Sequence, residues 1–431
     1  MILNGYLIKK ERINKKMKQI WLAKGICSVS YLSKIENGQT AASQEILSLL
    51  EERLEIVTDS FDPHTEDSII KSLSNSYKEY LTKKIKDGIH VFANTRDKKY
   101  VFNCRRNHNT YNLLLIRFLL INNEDRNTIR KEIEFSQLLL SEYSNKEKYL
   151  YYINGCLYRY FESDYQSAFD YILKTEDILN GLLLEPWERA DFNYIASLCY
   201  GKRSLFNQAI DLAGQSLKYF TDNIYSERAL DCHIILGNSY KNLSDYNNSK
   251  KHLMFALEIT NQLNKYDHLG MIYHNLALLH SRMGFSLTAI EKFKKSLEYK
   301  RDEGHKSYLL TLYALMKELY KNSDYEEASE LCKQGSLLIN EWENNELYKE
   351  YTFHFDIYRN YFDESVDIEK TLISAIDYFG TVNDNWNTTK YTLALAEHYK
   401  SIGQYKKSAI NYSKFVQVQL EKKSIKSWEE L

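Results

Sequence analysis

GNSYKNLSDYNNSKKHLMFA, residues 237 to 256, is the stretch on which the fold turns. Gly237, Tyr240, Tyr246, Ser249 and Ala256 set small and aromatic residues at a fixed spacing, and the same arrangement recurs along the chain. Aligning YFESDYQSAFDY, KRSLFNQAIDLA, KNLSDYNNSKKHL, SRMGFSLTAIEKF, KNSDYEEASELC and KSIGQYKKSAINY places a small residue at Ala168, Ala209, Ser249, Ala289, Ala328 and Ser408. The first four intervals are 41, 40, 40 and 39 residues, and the last, 80, spans two further periods. Upstream of these lie Gly155/Tyr158, Ala196/Cys199, Gly237/Tyr240, Ala277/His280 and Ala396/Tyr399. Stacked helix pairs need such pairs of positions, because two backbones approach closely only where a side chain is absent.

Composition agrees with helices throughout. Two prolines and 15 glycines in 431 residues, with long apolar-periodic segments, place the chain in the all-α class. The 36 tyrosines suit helix-pair packing in which a ring is buried while its hydroxyl stays wet. Gly237–Tyr240–Tyr246–Ser249–Ala256 and Ala396–Tyr399–Gly403–Tyr405–Ser408 resemble the tetratricopeptide repeat, and Phe355–Tyr358 marks a degenerate sixth unit. The period exceeds the usual 34 or so residues, which implies longer helices. This resemblance implies a right-handed superhelical solenoid whose first helices line a concave groove. Polar residues stand where those helices should face inward: Arg159, Asn193, Asn238, Lys241, Asn242, His274, Asn275 and Arg282. Asparagine can bond both the N–H and the C=O of an extended peptide, so these eight are the candidate peptide-binding residues. A solvated surface role remains open for each of them.

The N-terminus reads differently. In QIWLAKGICSVSYLSKIENGQ, residues 19 to 39, Ile20, Trp21 and Ala23 recur at helical spacing before Gly25, which can turn with positive φ. Ser28 can cap a second helix with Tyr31, Leu32 and Ile35 as its apolar stripe, and Gly38 ends it. Val29, Ser30, Ser33, Lys34 and Asn37 are left on the exposed face, which a DNA major groove would admit. Residues 1 to 40 hold eight cations against two glutamates in a chain of net charge −1, so this end is locally basic.

The stretch resembles the Cro/C1-type (XRE) helix-turn-helix over roughly residues 4 to 56, through Leu22-Ala23 and Ser28 to Gly38. That resemblance implies that Val29, Ser30 and Lys34 face bases, that Gln19, Tyr31 and Asn37 hold phosphates, and that Ala23, Leu32 and Ile35 are core. With Ser28 and Ser33 these form the candidate DNA-binding set. Val29 departs from the hydrogen-bonding residue many relatives place there, and its contact would be a thymine methyl. The alternative is a small helical cap on a repeat protein. Flanking it, Tyr6 to Lys16 reads as a first helix with Leu7, Ile8 and Ile13 inward, and Ser43 to Leu54 as a closing helix with Ile46, Leu47, Leu50 and Leu54 inward.

The expected domains are a DNA-binding domain over 1–57, a linker over 58–66 (it contains TDSFDPHTE), and a repeat domain for peptide binding and dimerisation over 67–431. Asn122 to Asn127 is a polar break. Six scattered cysteines without CxxC spacing indicate neither a disulfide framework nor a zinc site. The most apolar run, Leu113 to Ile121, contains Arg117 and is too short to cross a bilayer, so a soluble, cytoplasmic protein is expected. No phosphate-binding glycine loop occurs, the nearest phrase being Gly304-His305-Lys306-Ser307, and no HExxH. No catalytic residue, metal or cofactor is assigned.

A helix-turn-helix ahead of such repeats resembles the RRNPP family (Rap, Rgg, NprR, PlcR and PrgX), with a domain order most similar to its NprR and PlcR members. The resemblance implies a cytoplasmic homodimeric regulator of operator DNA whose repeats bind a short signalling peptide (quorum sensing). Two alternatives stay open: a Rap-like regulator that docks a response-regulator protein, and a peptide-independent repressor or scaffold.

Overall fold

Helix after helix follows from the apolar periodicity, and no strand occurs among the described residues, which in this computed structural model are 3–55, 63–83, 104–300, 305–342, 345–362, 367–382 and 384–422. The chain divides into two compact units, Met1–Ile259 and Thr260–Leu431.

The first unit opens with α1 (Leu3–Asn14), α2 (Gln19–Ala23), α3 (Val29–Glu36) and α4 (Gln44–Arg53). Gly25 turns at φ 76° between α2 and α3, and Gly38 ends α3 at φ 68°. Ile8, Leu22, Ala23, Leu32, Ile35, Leu47, Leu50 and Leu54 form the core of this small bundle, with Ile46 packed at its edge. Three apolar residues depart from expectation: Ile13, Ile20 and Trp21 are 46%, 62% and 61% exposed. Ile13 lies opposite the buried stripe of α1, and on the short α2 only Leu22 and Ala23 reach the core. The side chain of Leu7 lies outside the described residues.

α5 (Pro63–Lys83) begins inside the stretch read as linker; residues 58–62 of that stretch lie outside the described ones. α6 (Arg105–Ile121) and α7 (Arg126–Gln137) flank the polar break. Three helix pairs follow: α8 (Asn145–Phe161) with α9 (Tyr165–Leu179), α10 (Pro186–Lys202) with α11 (Phe206–Asp222), and α12 (Ser226–Asn242) with α13 (Tyr246–Gln262). α5 packs along α6 and also touches α10 and α12, the first helices of two pairs. The second unit continues with α14 (Leu269–Arg282) and α15 (Ser286–Lys300), α16 (His305–Lys321) and α17 (Tyr325–Glu341), α18 (Lys349–Phe362) and α19 (Ile368–Thr381), and α20 (Asn385–Ser401) and α21 (Tyr405–Lys422).

Every small residue of the repeat is the fourth residue of a second helix: Ala168, Ala209, Ser249, Ala289 and Ala328 are fully buried, and Ser408 nearly so. In α19 the place falls to Thr371, 43 residues after Ala328 and 37 before Ser408, which accounts for the double interval. Where serine replaces alanine, its hydroxyl ties the pair together. Ser249 Oγ donates to the Gly237 carbonyl at 2.7 Å, and Ser408 Oγ to that of Ala396 at 2.8 Å. A Cβ on Gly237 would lie 2.7 Å from Leu253 Cγ, so the absent side chain is what lets α12 meet α13. In the degenerate unit Phe355 of α18 stands where Gly237 stands in α12, and it packs onto the preceding pair, where Gly335 of α17 makes room for its ring, 2.4 Å from where a Cβ would stand.

Among the described residues, the turns inside six of the pairs share a signature, five residues before the small position. Ser163, Ser204, Ser244 and Ser323 stand at φ of 62, 62, 62 and 65°, and Gly284 and Gly403 at 84 and 76°. A side chain in this left-handed region costs about 1–2 kcal/mol, which glycine avoids. Ser244→Gly is therefore expected to raise the unfolding midpoint, by an increment of about 0.5–1 kcal/mol after glycine's own entropy loss. Gly335→Ala is expected to lower it by about 1–3 kcal/mol through overpacking against Phe355, with partial recovery in the Gly335→Ala/Phe355→Leu double variant. Denaturant titration followed by circular dichroism measures all three.

Candidate functional site

Helix α3 is presented by a charged clamp behind it. Arg12 of α1 donates from Nε to Glu36 Oε1 at 2.6 Å and from Nη2 to Oε2 at 2.9 Å, while its Nη1 holds the Met17 carbonyl at 2.9 Å. Gln19 Nε2 donates to the same Glu36 Oε2 at 2.7 Å. Glu36 is 3% exposed, so one buried carboxylate fixes α1, α2 and α3 together. Arg53 of α4 donates to the carbonyls of Leu22 and Lys24, the otherwise orphaned end of α2. Neither arginine nor Glu36 was singled out from sequence; the signal was a cation and an acid on the buried sides of predicted helices.

On the outer side, Ser28 caps α3 by accepting from the Tyr31 N–H at 3.1 Å. Val29, Ser30 and Lys34 are exposed, and Ser30 Oγ is 3.2 Å from Ser28 Oγ. Ser33 is half-buried, with Asn37 Nδ2 at 3.5 Å, and Asn37 Oδ1 accepts from Lys9 at 2.8 Å. Tyr31 is half-buried and its hydroxyl reaches the Ala41 carbonyl at 3.4 Å. The eight candidate residues thus lie on or beside one short helix, with Val29, Ser30 and Lys34 the most available. Beside them, exposed Ile20 and Trp21 are flanked by Lys18 and Lys24, whose Nζ is 5.6 Å from the Trp21 ring.

The eight candidates in the repeats lie on α8, α10, α12 and α14 and differ in burial. Arg159, Asn242 and Arg282 are exposed at the C-terminal ends of α8, α12 and α14, with Arg159 3.7 Å from Asp164. Asn193 is buried and donates to Gln215 Oε1 at 3.1 Å, joining α10 to α11. Asn238 accepts from the buried Lys241 at 2.9 Å. His274 and Asn275 are buried in α14, where His274 Nδ1 lies 3.0 Å from Thr311 Oγ1 and its ring packs on Phe293.

What the repeats do gather in the first unit is a buried ionic network. Asp191 of α10 accepts from Arg117 Nη2 of α6 at 3.1 Å and from Arg228 Nη2 of α12 at 2.8 Å, and Arg228 Nη1 is 3.5 Å from Asp231. The Arg228 guanidinium lies 4.1 Å from the Tyr194 ring centroid and 4.9 Å from that of Phe220. Burial opposes the charge on both arginines. Tyr77 and Asp191 outweigh it for Arg117, and Asp191 and Tyr194 for Arg228, so both pKa values rise and both guanidiniums stay charged. Arg117 Nε and Nη1 and Arg228 Nε make no hydrogen bond. The sequence signal was Arg117 alone in an apolar run; its partner, 74 residues away, carried none. Nearby, α5, α6, α8 and α10 enclose a cavity of about 500 Å³ with Tyr77 and Trp187 in its wall and Arg106, Lys146, Glu147 and Glu188 around it, a volume in the range of ligand pockets.

Among the described residues no group of three or more metal-ligating side chains occurs, and no helix is long and apolar enough to cross a membrane.

A helix-turn-helix family model matches residues 8–59. The transcriptional activator NprA of Geobacillus stearothermophilus is 28% identical over 391 residues, covering 89% of this chain and 95% of NprA. The fold is similar to that of a Rap protein complexed with competence and sporulation factor, with a TM-score of 0.70 at 16% identity over 84% of this chain and all of that one. It is also similar to NprR in complex with its cognate peptide NprX, with a TM-score of 0.65 at 19% identity over 82% of this chain and 99% of NprR.

Removing Asp191 would leave two buried guanidiniums facing each other. Asp191→Ala is expected to destabilise by about 3–5 kcal/mol, the scale for orphaning a buried charge. Asp191→Ala/Arg117→Met should recover part of that loss, as thermal melting would show.

Proposed function

We propose that this chain, a member of the RRNPP family with an N-terminal XRE-type helix-turn-helix, is a transcriptional regulator of operator DNA whose repeats receive a short signalling peptide that changes DNA binding or oligomeric state. The observation that carries the reading is the union, in one chain related to NprA over most of its length, of an exposed α3 with repeats of the NprR fold. The division of labour follows the domains: 1–57 reads DNA, 58–66 links, and 67–431 binds peptide and pairs two chains in the cytoplasm. Val29, Ser30 and Lys34 meet base edges, and Gln19, Tyr31 and Asn37 lie towards the phosphates, with Glu36 holding the Gln19 amide in place.

One such domain buries little DNA surface, so a homodimer reading half-sites about 34–36 Å apart supplies the specificity. A peptide acts on that dimer only to the extent that it binds one arrangement of the repeats better than another. The residues of the repeats that would meet it include Asn193, Asn238, Lys241, His274 and Asn275, whose polar groups sit in first helices of successive pairs. A Rap-like docking of a response regulator is the competing reading, supported by likeness of fold.

Ser30→Ala/Lys34→Ala is expected to weaken operator binding by about 1–3 kcal/mol, roughly tenfold or more, because exposed side chains that meet DNA are removed. Both are exposed, so the melting temperature should not move. Fluorescence anisotropy with the chain's own upstream region measures the first and differential scanning fluorimetry the second. Unchanged affinity in the double variant would transfer the role of this protein to the docking reading.

A further inference from the structure

Three first helices of the second unit bring together amines and phenols with no acid among them. Lys390 of α20 donates to Tyr313 Oη on α16 at 2.6 Å and to Tyr391 Oη at 3.2 Å. Lys317, one turn beyond Tyr313 on α16, lies 5.2 Å from the Tyr313 ring centroid. His354 of α18 stacks on the Tyr313 ring at 4.5 Å and 11°, and its Nδ1 shares a hydrogen bond with the Tyr391 hydroxyl. Burial, aided by the charges of Lys390 and Lys317, holds His354 well below its ordinary pKa. Its imidazole is therefore neutral, and the Tyr391 oxygen accepts from Lys390.

The acids nearest in charge to this cluster are committed elsewhere. Glu318, which raises the pKa of Lys317, accepts from Ser281 Oγ at 2.5 Å and lies 3.5 Å from Lys321. Asp384, which raises that of Lys390, caps α20 by accepting from the Asn387 N–H at 3.0 Å and Nδ2 at 2.8 Å. Among the described residues neither Lys317 nor Lys390 forms a salt bridge, although Lys390 is half-buried and a desolvated ammonium ordinarily has a partner. Burial first, and the charge of Lys317 second, bring Lys390 down to about 7; burial lowers Lys317 as well. Lys317 reaches solvent and Lys390 is half-buried, so a ligand arriving through water meets both.

We propose that Lys317 and Lys390, with the hydroxyls of Tyr313 and Tyr391, form a seat for a carboxylate, and that its occupant is the C-terminal carboxylate of the peptide the repeats receive. The inference rests on the peptide-receptor reading above. A carboxylate supplies the negative charge that the two amines lack. Its two oxygens match two amines, and the surrounding rings exclude the water that would otherwise weaken the pairing.

The test uses the full chain and two pools of randomised heptapeptides, one with free-acid and one with amidated C-termini, the retained peptides being identified by mass spectrometry. The free-acid pool is expected to be retained about tenfold more, the scale of one charge-assisted hydrogen bond. That preference should vanish in Lys317→Gln/Lys390→Gln. In the wild-type chain it should hold below about pH 7 and fall above it, because the carboxylate binds the protonated Lys390 and that ammonium is lost as the pH rises through its value in the free chain. The pH series needs no substitution, so a misfolded variant does not decide the matter. Equal retention of both pools, or a preference that survives the double variant, overturns the carboxylate seat and leaves peptide binding standing. Amidated peptides retained according to their Asp and Glu content would assign the seat to an acidic side chain and overturn the C-terminal assignment. Retention that only inorganic phosphate abolishes, without discrimination between the pools, marks a free-anion site and does the same. Retention of neither pool overturns the peptide reading and this inference with it.

Discussion

Two helix backbones can approach closely only where a side chain is missing or very small, and the repeats of this protein depend on that constraint. Gly237 lets α12 meet α13 against Leu253, and buried alanines or serines do the same at the fourth residue of each regular second helix. The constraint concerns a pair of positions and not either residue alone. The same holds between successive pairs, where Gly335 of α17 admits the Phe355 ring of α18. The turns between paired helices keep their left-handed residue with serine as readily as with glycine. Here the register of the pair sets the backbone, and the side chain accepts the strain.

Once close packing has placed the first helices side by side, polar groups far apart in sequence are brought into low dielectric, where each must find a partner. Asp191 answers two arginines on two other helices, and Glu36 answers Arg12 and Gln19 in the small N-terminal bundle. These carboxylates act as anchors between helices. Each takes its charge out of water and recovers the loss through hydrogen bonds from more than one donor. Lys390 differs, being half-buried near Lys317 with tyrosine hydroxyls and no acid as its hydrogen-bond partners.

The same economy of contacts serves the DNA-facing domain. Glu36 and Arg53 fix α2 and α3 from behind, so that the side chains of Val29, Ser30 and Lys34 stay exposed. Ser28 is spent on the helix cap, Tyr31 on the Ala41 carbonyl and Asn37 partly on Lys9. Those three residues help to position α3, and Val29, Ser30 and Lys34 are left facing solvent.

By itself the sequence determined the all-α class, the helix-turn-helix with its cap at Ser28 and its turn at Gly25, and the repeat period, because each of these is written in residues a few places apart. It also showed which side of α3 is buried, since Leu32 and Ile35 recur at helical spacing. It could not show that Ile20 and Trp21 face water, because a helix of five residues such as α2 is too short for periodicity to fix its buried side. Nor could it separate the exposed from the buried polar residues of the repeats, so Arg159, Asn242 and Arg282 looked like Asn193 and His274. Only the tertiary structure joined Arg117 to Asp191 across 74 residues, and Tyr313 to Lys390 across 77. Such pairings are set by how successive first helices stack, and local sequence carries no record of which distant residue will arrive opposite.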